Sequence, residues 1–208
     1  VVFADDLSRA YVAGNGAVHV IDTLSFQPVG TIAVPAGKNI VSLATVGSLL
    51  FIGEGDRFAG GAPYRLLAVD INPGSARFNQ IVTLKGTGIE STAYGVSGMA
   101  IGPDGETLVV GTPISPNSTN LASPDQRGSV WVFDLSTLDM DTGEIAKPVV
   151  ASLPDDGRSG KSPQSITATK DADRFLVANV MDTDKGLSTL KITHDNDGKI
   201  TGAQMTAI

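Results

Sequence analysis

Residues 103–111 read PDGETLVVG, a tight turn followed by a strand that begins on an apolar residue. Asp and Gly are typical of turns, and Leu followed by two Val residues is typical of a strand. Similar phrases occur at residues 7–14 (LSRAYVAG), 47–53 (GSLLFIG) and 171–179 (DADRFLVAN). Recurrence at a long period indicates a fold built from repeated units of secondary structure.

Each of the four phrases has the same neighbours in the sequence. A short apolar segment precedes it, an alternating apolar and polar strand follows, and a further strand closes the unit. The apolar segments are residues 1–4, 40–46, 96–101 and 164–169, the alternating strands are 17–22, 64–70, 129–134 and 187–193, and the closing strands are 28–34, 79–84, 148–153 and 202–208. The sequence therefore predicts an all-β fold of four units with four antiparallel strands each, at about residues 1–37, 38–88, 89–160 and 161–208.

The spacing of the units fits a β-propeller, whose blades contain about 40–50 residues. Asp22, Asp70 and Asp134 end equivalent third strands, where we expect each carboxylate to cap the turn into the fourth strand. The extra length of the later units lies mainly in the loops between their second and third strands, at residues 54–63, 112–128 and 180–186. Insertions at one connection of successive repeats lie on one side of the assembly, which is often the binding side.

Composition excludes several classes of protein. The net charge is −7 and Lys and Arg form no extended cluster, which argues against nucleic-acid binding. No apolar run approaches the roughly 18 residues of a membrane span. The chain has no Cys, so disulfides, thiolate metal sites and a Cys nucleophile are all excluded.

The sequence contains no convincing catalytic or metal-binding motif. Residues 194–199 (HDNDGK) resemble a calcium loop, but Thr193 and Gln204 stand where an EF-hand needs a carboxylate and a bidentate Glu. A hairpin turn is the better interpretation of that segment. His19 and His194 are the only histidines and share no motif, and the nucleophile elbow Gly-x-Ser-x-Gly is absent. We therefore predict no catalytic residue, metal ligand or cofactor.

Two stretches carry a resemblance to a known family. Residues 98–111 (GMAIGPDGETLVVG) resemble the turn and second strand of YVTN-type, surface-layer-like β-propeller repeats, and residues 17–35 (AVHVIDTLSFQPVGTIAVP) resemble the second half of such a repeat. The resemblance implies four-stranded antiparallel blades around a central channel. Members of that family are typically exported or surface-associated bacterial or archaeal proteins that serve as scaffolds or binding modules. Related propellers include lactonases and periplasmic redox subunits.

Four units leave the number of blades open. The chain is either part of a larger propeller, whose remaining blades come from further chain or a second subunit, or a compact ring of four blades, or half of a ring built from two chains.

The resulting functional hypothesis is a non-catalytic binding scaffold outside the cytoplasm, with a protein or glycan partner. The partner would meet the face that carries the loops between second and third strands. The residues predicted to contact it are Arg57, Phe58, Asp125, Gln126, Arg127, Asp182 and Asp184. The alternative is a propeller enzyme, lactonase-like or a periplasmic dehydrogenase subunit, with a site at the channel mouth; a stoichiometric divalent ion would favour it.

Overall fold

The computed structural model describes residues 1–35, 39–56, 63–92, 94–113, 128–152, 162–180 and 186–208. In these residues the chain forms sixteen β-strands and two single 3₁₀ turns, Ile89–Ser91 and Leu135–Thr137. None of the helical segments in the described ranges is long and apolar enough to cross a bilayer.

The strands form four separate sheets of four strands each. Sheet 1 contains β1 (Val2–Phe3), β2 (Arg9–Ala13), β3 (Ala17–Asp22) and β4 (Pro28–Ala33); sheet 2 contains β5 (Ile40–Val46), β6 (Leu49–Glu54), β7 (Leu66–Asp70) and β8 (Ile81–Thr83); sheet 3 contains β9 (Gly98–Ile101), β10 (Thr107–Thr112), β11 (Ser129–Asp134) and β12 (Val149–Ser152); sheet 4 contains β13 (Ser162–Ala168), β14 (Arg174–Val180), β15 (Leu187–His194) and β16 (Ile200–Ala207). Within each sheet, consecutive strands pair antiparallel in chain order. The predicted all-β class and the four four-stranded antiparallel units are confirmed.

The sheets stack in chain order through their first strands, because β1 contacts β5, β5 contacts β9 and β9 contacts β13. Thr45 Oγ1 donates to the Phe3 carbonyl over 2.7 Å, which joins the ends of β5 and β1. At the other end, the Val96 N–H donates to the Glu54 carbonyl over 2.8 Å beside the start of β5. The first strands therefore run side by side in the same direction.

Three apolar cores lie between consecutive sheets, and the alternation of side chains along each strand assigns residues to them. In β6, Leu50 and Ile52 pack toward sheet 1, whereas Phe51 packs toward sheet 3. In β10, Val109 packs toward sheet 4. Each fully buried aliphatic or aromatic side chain of this kind contributes about 1.5–3 kcal/mol of stability. The inner sheets 2 and 3 are thus covered on both faces.

The turns that close the sheets follow the sequence-based expectation. Asp22 Oδ1 accepts hydrogen bonds from the N–H and Oγ of Ser25, both over 2.7 Å. Asp70 and Asp134 accept in the same way from backbone N–H groups two residues later. The predicted capping role of the three Asp residues is confirmed. The segment after His194 is a hairpin turn in which Asp195 Oδ1 accepts from two backbone N–H groups.

Candidate binding face

The loops between second and third strands all leave from one end of the stack, which we call the loop face. Its described residues are 14–16, 54–56, 63–65, 112–113, 128–129, 179–180 and 186–187. Each second strand runs antiparallel to its first strand and ends where the first strand begins. Since the first strands share one direction, the four hairpins open at the same end.

The seven residues predicted to contact a partner come from the three loops that the sequence analysis gives as inserted. Arg57, Phe58, Asp125, Gln126, Arg127, Asp182 and Asp184 all lie outside the described residues. Their role stays a prediction. The described part of the loop face consists of the stems from which these loops leave.

The stems share a feature that the sequence analysis missed. In sheets 2, 3 and 4 the second strand ends near a buried polar residue, directly after a small residue: Glu54 follows Gly53, Thr112 follows Gly111, and Asn179 follows Ala178. The polar residues are 0%, 3% and 6% exposed. A buried polar group is costly unless it is hydrogen-bonded, so each of them needs a specific partner.

Glu54 is satisfied by Arg65, which lies across the hairpin. Arg65 Nε donates to Glu54 Oε2 over 2.8 Å and Nη2 donates to Oε1 over 2.5 Å, which makes the pair bidentate. The same Nη2 donates to the Pro35 carbonyl over 2.8 Å. Hydrogen bonding to Glu54 raises the pKa of Arg65 above its ordinary value, against the opposing effect of burial. The pair therefore ties the stem of sheet 2 to the connection that leaves sheet 1.

Thr112 links its stem to the side chain of Trp131. The indole Nε1 of Trp131 donates to Thr112 Oγ1 over 3.1 Å. A side chain at Gly88 would overlap the indole ring, so the ring lies directly against the backbone before the first 3₁₀ turn. This contact fixes the end of β10 to the chain that connects sheets 2 and 3.

Asn179 closes the corresponding stem of sheet 4. Its Nδ2 donates to Ser188 Oγ over 2.9 Å, and its backbone N–H donates to the Gly186 carbonyl over 2.5 Å. Asn179 Oδ1 accepts no hydrogen bond from the described residues. The hairpin is thus held by a polar pair on the strands themselves.

Close backbone contact joins sheets 2 and 3 at the loop face. Gly55 and Gly95 form an antiparallel bridge outside the sheets. A Cβ at Gly55 would overlap the Val96 carbonyl, and one at Gly95 would overlap the Glu54 carbonyl. Only glycine allows this approach. The stem that carries Glu54 is therefore fixed to both neighbouring sheets.

A pocket of about 270 Å³ opens beside the stem of sheet 2. Its polar lining includes Arg65, Lys85, Thr87 and Glu90, and Thr87 Oγ1 donates to Glu90 Oε2 over 2.7 Å. Charges of both signs line this pocket. In the described part of the chain, no three His, Asp or Glu side chains are grouped as a metal site would require.

Comparisons with known proteins give a likeness in structure only. No protein-family model matches the chain, and no curated protein matches it in sequence. A hydrazine synthase of Kuenenia stuttgartiensis is similar over 99% of this chain and 48% of its own, with a TM-score of 0.59 and 15% identity. A functionally unknown protein of Desulfotomaculum acetoxidans DSM 771 is similar over 100% of this chain and 55% of its own, with a TM-score of 0.62 and 12% identity.

The chain therefore spans about half the length of these two solved chains. At such low identity the likeness shows the fold alone, an all-β arrangement of four-stranded sheets that is propeller-like.

Proposed function

We propose that this chain forms four blades of a β-propeller and serves as a non-catalytic binding scaffold, whose partner binds the loop face. The observation that carries the proposal is the contrast between fixed stems and inserted loops at that face. Buried polar residues anchor three of the four hairpins, and those same three hairpins carry the insertions. The fourth hairpin turns through Gly14, Asn15 and Gly16 alone.

Anchored stems suit a binding surface because binding residues act best on loops that a rigid framework positions. The bidentate pair of Glu54 and Arg65 has a defined geometry that a single surface ion pair lacks. The bridge between Gly55 and Gly95 adds a backbone connection to the next sheet. Loop residues on these stems leave the framework at fixed points, which lowers the entropy lost when a partner binds.

The proposed partner is a protein or a glycan. The residues singled out on the three loops combine two Arg, one Phe, one Gln and three Asp, a mixture suited to polar contacts of both signs. Following the resemblance to exported YVTN-type propellers, we place the module outside the cytoplasm. The remaining blades of a complete propeller are part of the same proposal, since the similar solved chains are about twice as long.

The test replaces residues 113–128 with the short Gly-Asn-Gly hairpin of the first unit. Partners are captured from an extract of the source organism on the immobilised chain, and a panel of defined glycans is screened in parallel. The affinity of each purified partner is then measured by calorimetry. We expect the shortened variant to fold and to bind at least about tenfold more weakly, which corresponds to about 1.4 kcal/mol.

The matched control is Arg174→Ala, at the opposite end of the stack. Arg174 is exposed and forms its ion pair with Asp171 three residues away, so its loss leaves the loop face unchanged. We expect wild-type affinity from this variant. Unchanged affinity of the shortened variant would refute the proposal.

A further inference from the structure

The four sheets repeat one packing rule, and the rule identifies an uncovered surface. We call the face of a sheet that points to the preceding sheet its backward face, and the other its forward face. The register of the second and third strands gives three equivalent backward positions in each sheet. In sheets 2, 3 and 4 they hold Leu50, Ile52 and Val69; Leu108, Val110 and Phe133; and Phe175, Val177 and Leu190. All nine side chains are fully buried against the preceding sheet.

Sheet 1 has the same kind of backward face, but no further sheet of the described residues packs against it; Ala10 is buried there, whereas Val12 and Ile21 are half-buried. The equivalent positions hold Ala10, Val12 and Ile21. With Phe3 and Phe26 they line a groove of about 530 Å³ whose walls are almost wholly apolar. Phe3 is 51% exposed and Phe26 is 80% exposed. His19 lies on the same face, nearer the loop face, and does not line the groove.

The backbone at two edges of this groove is strained. Leu7 has a φ of 59° and Phe26 a φ of 56°, in the left-handed region that costs an L-residue about 1–2 kcal/mol. Leu7 lies three residues before Ala10. The same position before Leu50 in sheet 2 holds Gly47, and before Leu108 in sheet 3 it holds Gly105. The position of Phe26, whose N–H donates to the carbonyl of the strand-ending Asp, holds Asn79 in sheet 2.

Both strained residues present apolar side chains to the groove. Leu7 is 65% exposed, so burial in this chain recovers little of the backbone cost. Strain that persists at exposed apolar residues points to an interaction that buries them.

The forward face of sheet 4 differs from the forward faces of sheets 1 to 3. Leu176 and Leu187 are there, but so are Thr189, Lys191 and Gln204. By register, Leu176, Leu187 and Thr189 correspond to Tyr11, Val18 and Val20 of sheet 1, which are buried, so Thr189 is the polar replacement on this face. Lys191 corresponds to Asp22, which is also charged. A second copy of this chain would therefore offer the groove a mixed surface if it docked head to tail.

We propose that the backward face of sheet 1 is the docking surface of a further four-stranded antiparallel sheet whose forward face is apolar, like those of sheets 1 to 3. Such a sheet continues the interface already formed three times in this chain. It places an aromatic or aliphatic second-strand residue over Ala10 and Val12, and it buries Phe3, Leu7 and Phe26. The inference rests on the proposal that this chain supplies four blades of a larger propeller, but it concerns a different surface from the loop face, so it can fail while partner binding at the loop face stands.

The test adds such a sheet to the whole chain. A tandem protein carries a second copy of residues 1–42 ahead of Val1, which sets the copy in the register that β1 has toward β5. Val12→Asp is then made in the original sheet 1 of the tandem protein and in the unextended chain. We expect the substitution to lower the thermal midpoint by about 10 °C in the tandem protein and by at most about 2 °C in the unextended chain.

Thiol labelling gives a readout that does not depend on the stability of the Asp variant. Because the chain has no Cys, Phe3→Cys in the original sheet 1 introduces a unique thiol on the groove in both proteins. We expect the thiol to react at least about tenfold more slowly in the tandem protein. Thr189→Cys, on the forward face of sheet 4, is the control and should react equally fast in both proteins.

Two results would overturn the proposal. The first is an equal effect of Val12→Asp in both proteins together with equal thiol reactivity, which would show that the groove does not accept a sheet. The second is a dimer of the unextended chain, seen by light scattering and dissociated by Val12→Asp, which would assign the groove to a second copy.

Discussion

Leu7 and Phe26 show how a single residue can report on packing that lies beyond it. Each combines a left-handed backbone with an exposed apolar side chain, and each replaces a Gly or Asn found at the equivalent turn of another sheet. Neither feature stabilises the turn in which it lies. Both fit the groove that these residues border.

Leu7→Gly should raise the free energy of unfolding of this chain by about 1 kcal/mol, measured by urea denaturation. Glycine relieves the strain of the left-handed backbone, although its greater freedom in the unfolded chain takes back part of the gain. Gly47→Leu is the matched reverse control and should lower stability by a similar amount. A Cβ at Gly47 meets no atom within 4 Å, so the substitution adds backbone strain without a steric clash. A loss of stability in Leu7→Gly would contradict the strain argument.

Asp22 should make stability depend on pH in the acid range. Hydrogen bonds from Ser25, first its hydroxyl and then its backbone N–H, lower the pKa of Asp22 below its ordinary value of 3.8. A carboxyl whose pKa is lowered by folding contributes stability above that ordinary value and loses it as the pH falls through the lowered pKa. Asp22→Asn should therefore lose less stability than the wild type between about pH 4 and pH 2.

The measurement is the thermal midpoint across that pH range. Ser25→Ala, which removes the hydroxyl donor, should give an intermediate dependence on pH. Parallel curves for the wild type and Asp22→Asn would show that this carboxyl is not linked to folding.

At the scale of the strand and hairpin, the bidentate pair in sheet 2 carries the sharpest prediction. Arg65→Ala should lower the free energy of unfolding by about 3 kcal/mol, because it leaves the Glu54 carboxylate buried without its counter-ion. Urea denaturation measures the loss, and exposed Lys147→Ala serves as the control with a change below about 0.5 kcal/mol. A similarly small change in Arg65→Ala would mean that the pair does not anchor the stem.

The strands could be predicted from the sequence, whereas the anchors of the hairpins could not. The alternation of apolar and polar residues is local, as are the Asp side chains that cap turns two or three residues later. The pairing of Glu54 with Arg65 spans 11 residues and depends on how the hairpin closes. An Arg beside a strand carries no sign of its burial in the sequence, and Arg57 was predicted as a partner contact only because it lies in the inserted loop between the second and third strands. The signal that was available is the repeat position of Glu54, Thr112 and Asn179 after a small residue.

At the scale of the whole molecule, stability should be distributed unevenly among the sheets. In the part of the chain that the structure describes, sheets 2 and 3 are covered on both faces, whereas sheets 1 and 4 each pack against one neighbouring sheet. In a stack of repeats each unit is stabilised mainly by its neighbours. Amide hydrogen exchange should therefore be slowest in β6, β7, β10 and β11 and fastest in the strands of sheet 1. Mass spectrometry of peptides from each sheet measures the exchange rates.

Covering the groove of sheet 1 should slow that exchange, and the tandem protein offers the matched comparison. Exchange in β2 and β3 should approach the rate of β6 and β7 once a further sheet is added. Uniform exchange across all four sheets of the unextended chain would contradict the view that sheets stabilise one another pairwise.

The number of sheets followed from the recurring phrase, but the coverage of the outer faces did not. Val12 and Ile21 have the same apolar character as their buried equivalents, so the sequence does not show that they stay half-buried and that no described sheet packs against them. The conformations of Leu7 and Phe26 are equally hidden, because Leu and Phe are not among the residue types, such as Gly, Asn and Asp, that indicate a positive φ. These features emerge only when equivalent positions are compared in three dimensions.

Trp131 is the only tryptophan of the chain, and it lies between sheets 2 and 3 against Gly88, with its indole N–H bonded to Thr112. Its fluorescence emission therefore reports on the interface between sheets 2 and 3. If the outer sheets detach before the centre separates, the loss of strand circular dichroism will precede the red shift of the indole. The protein thus carries an intrinsic optical probe for the order in which its sheets come apart, without any label.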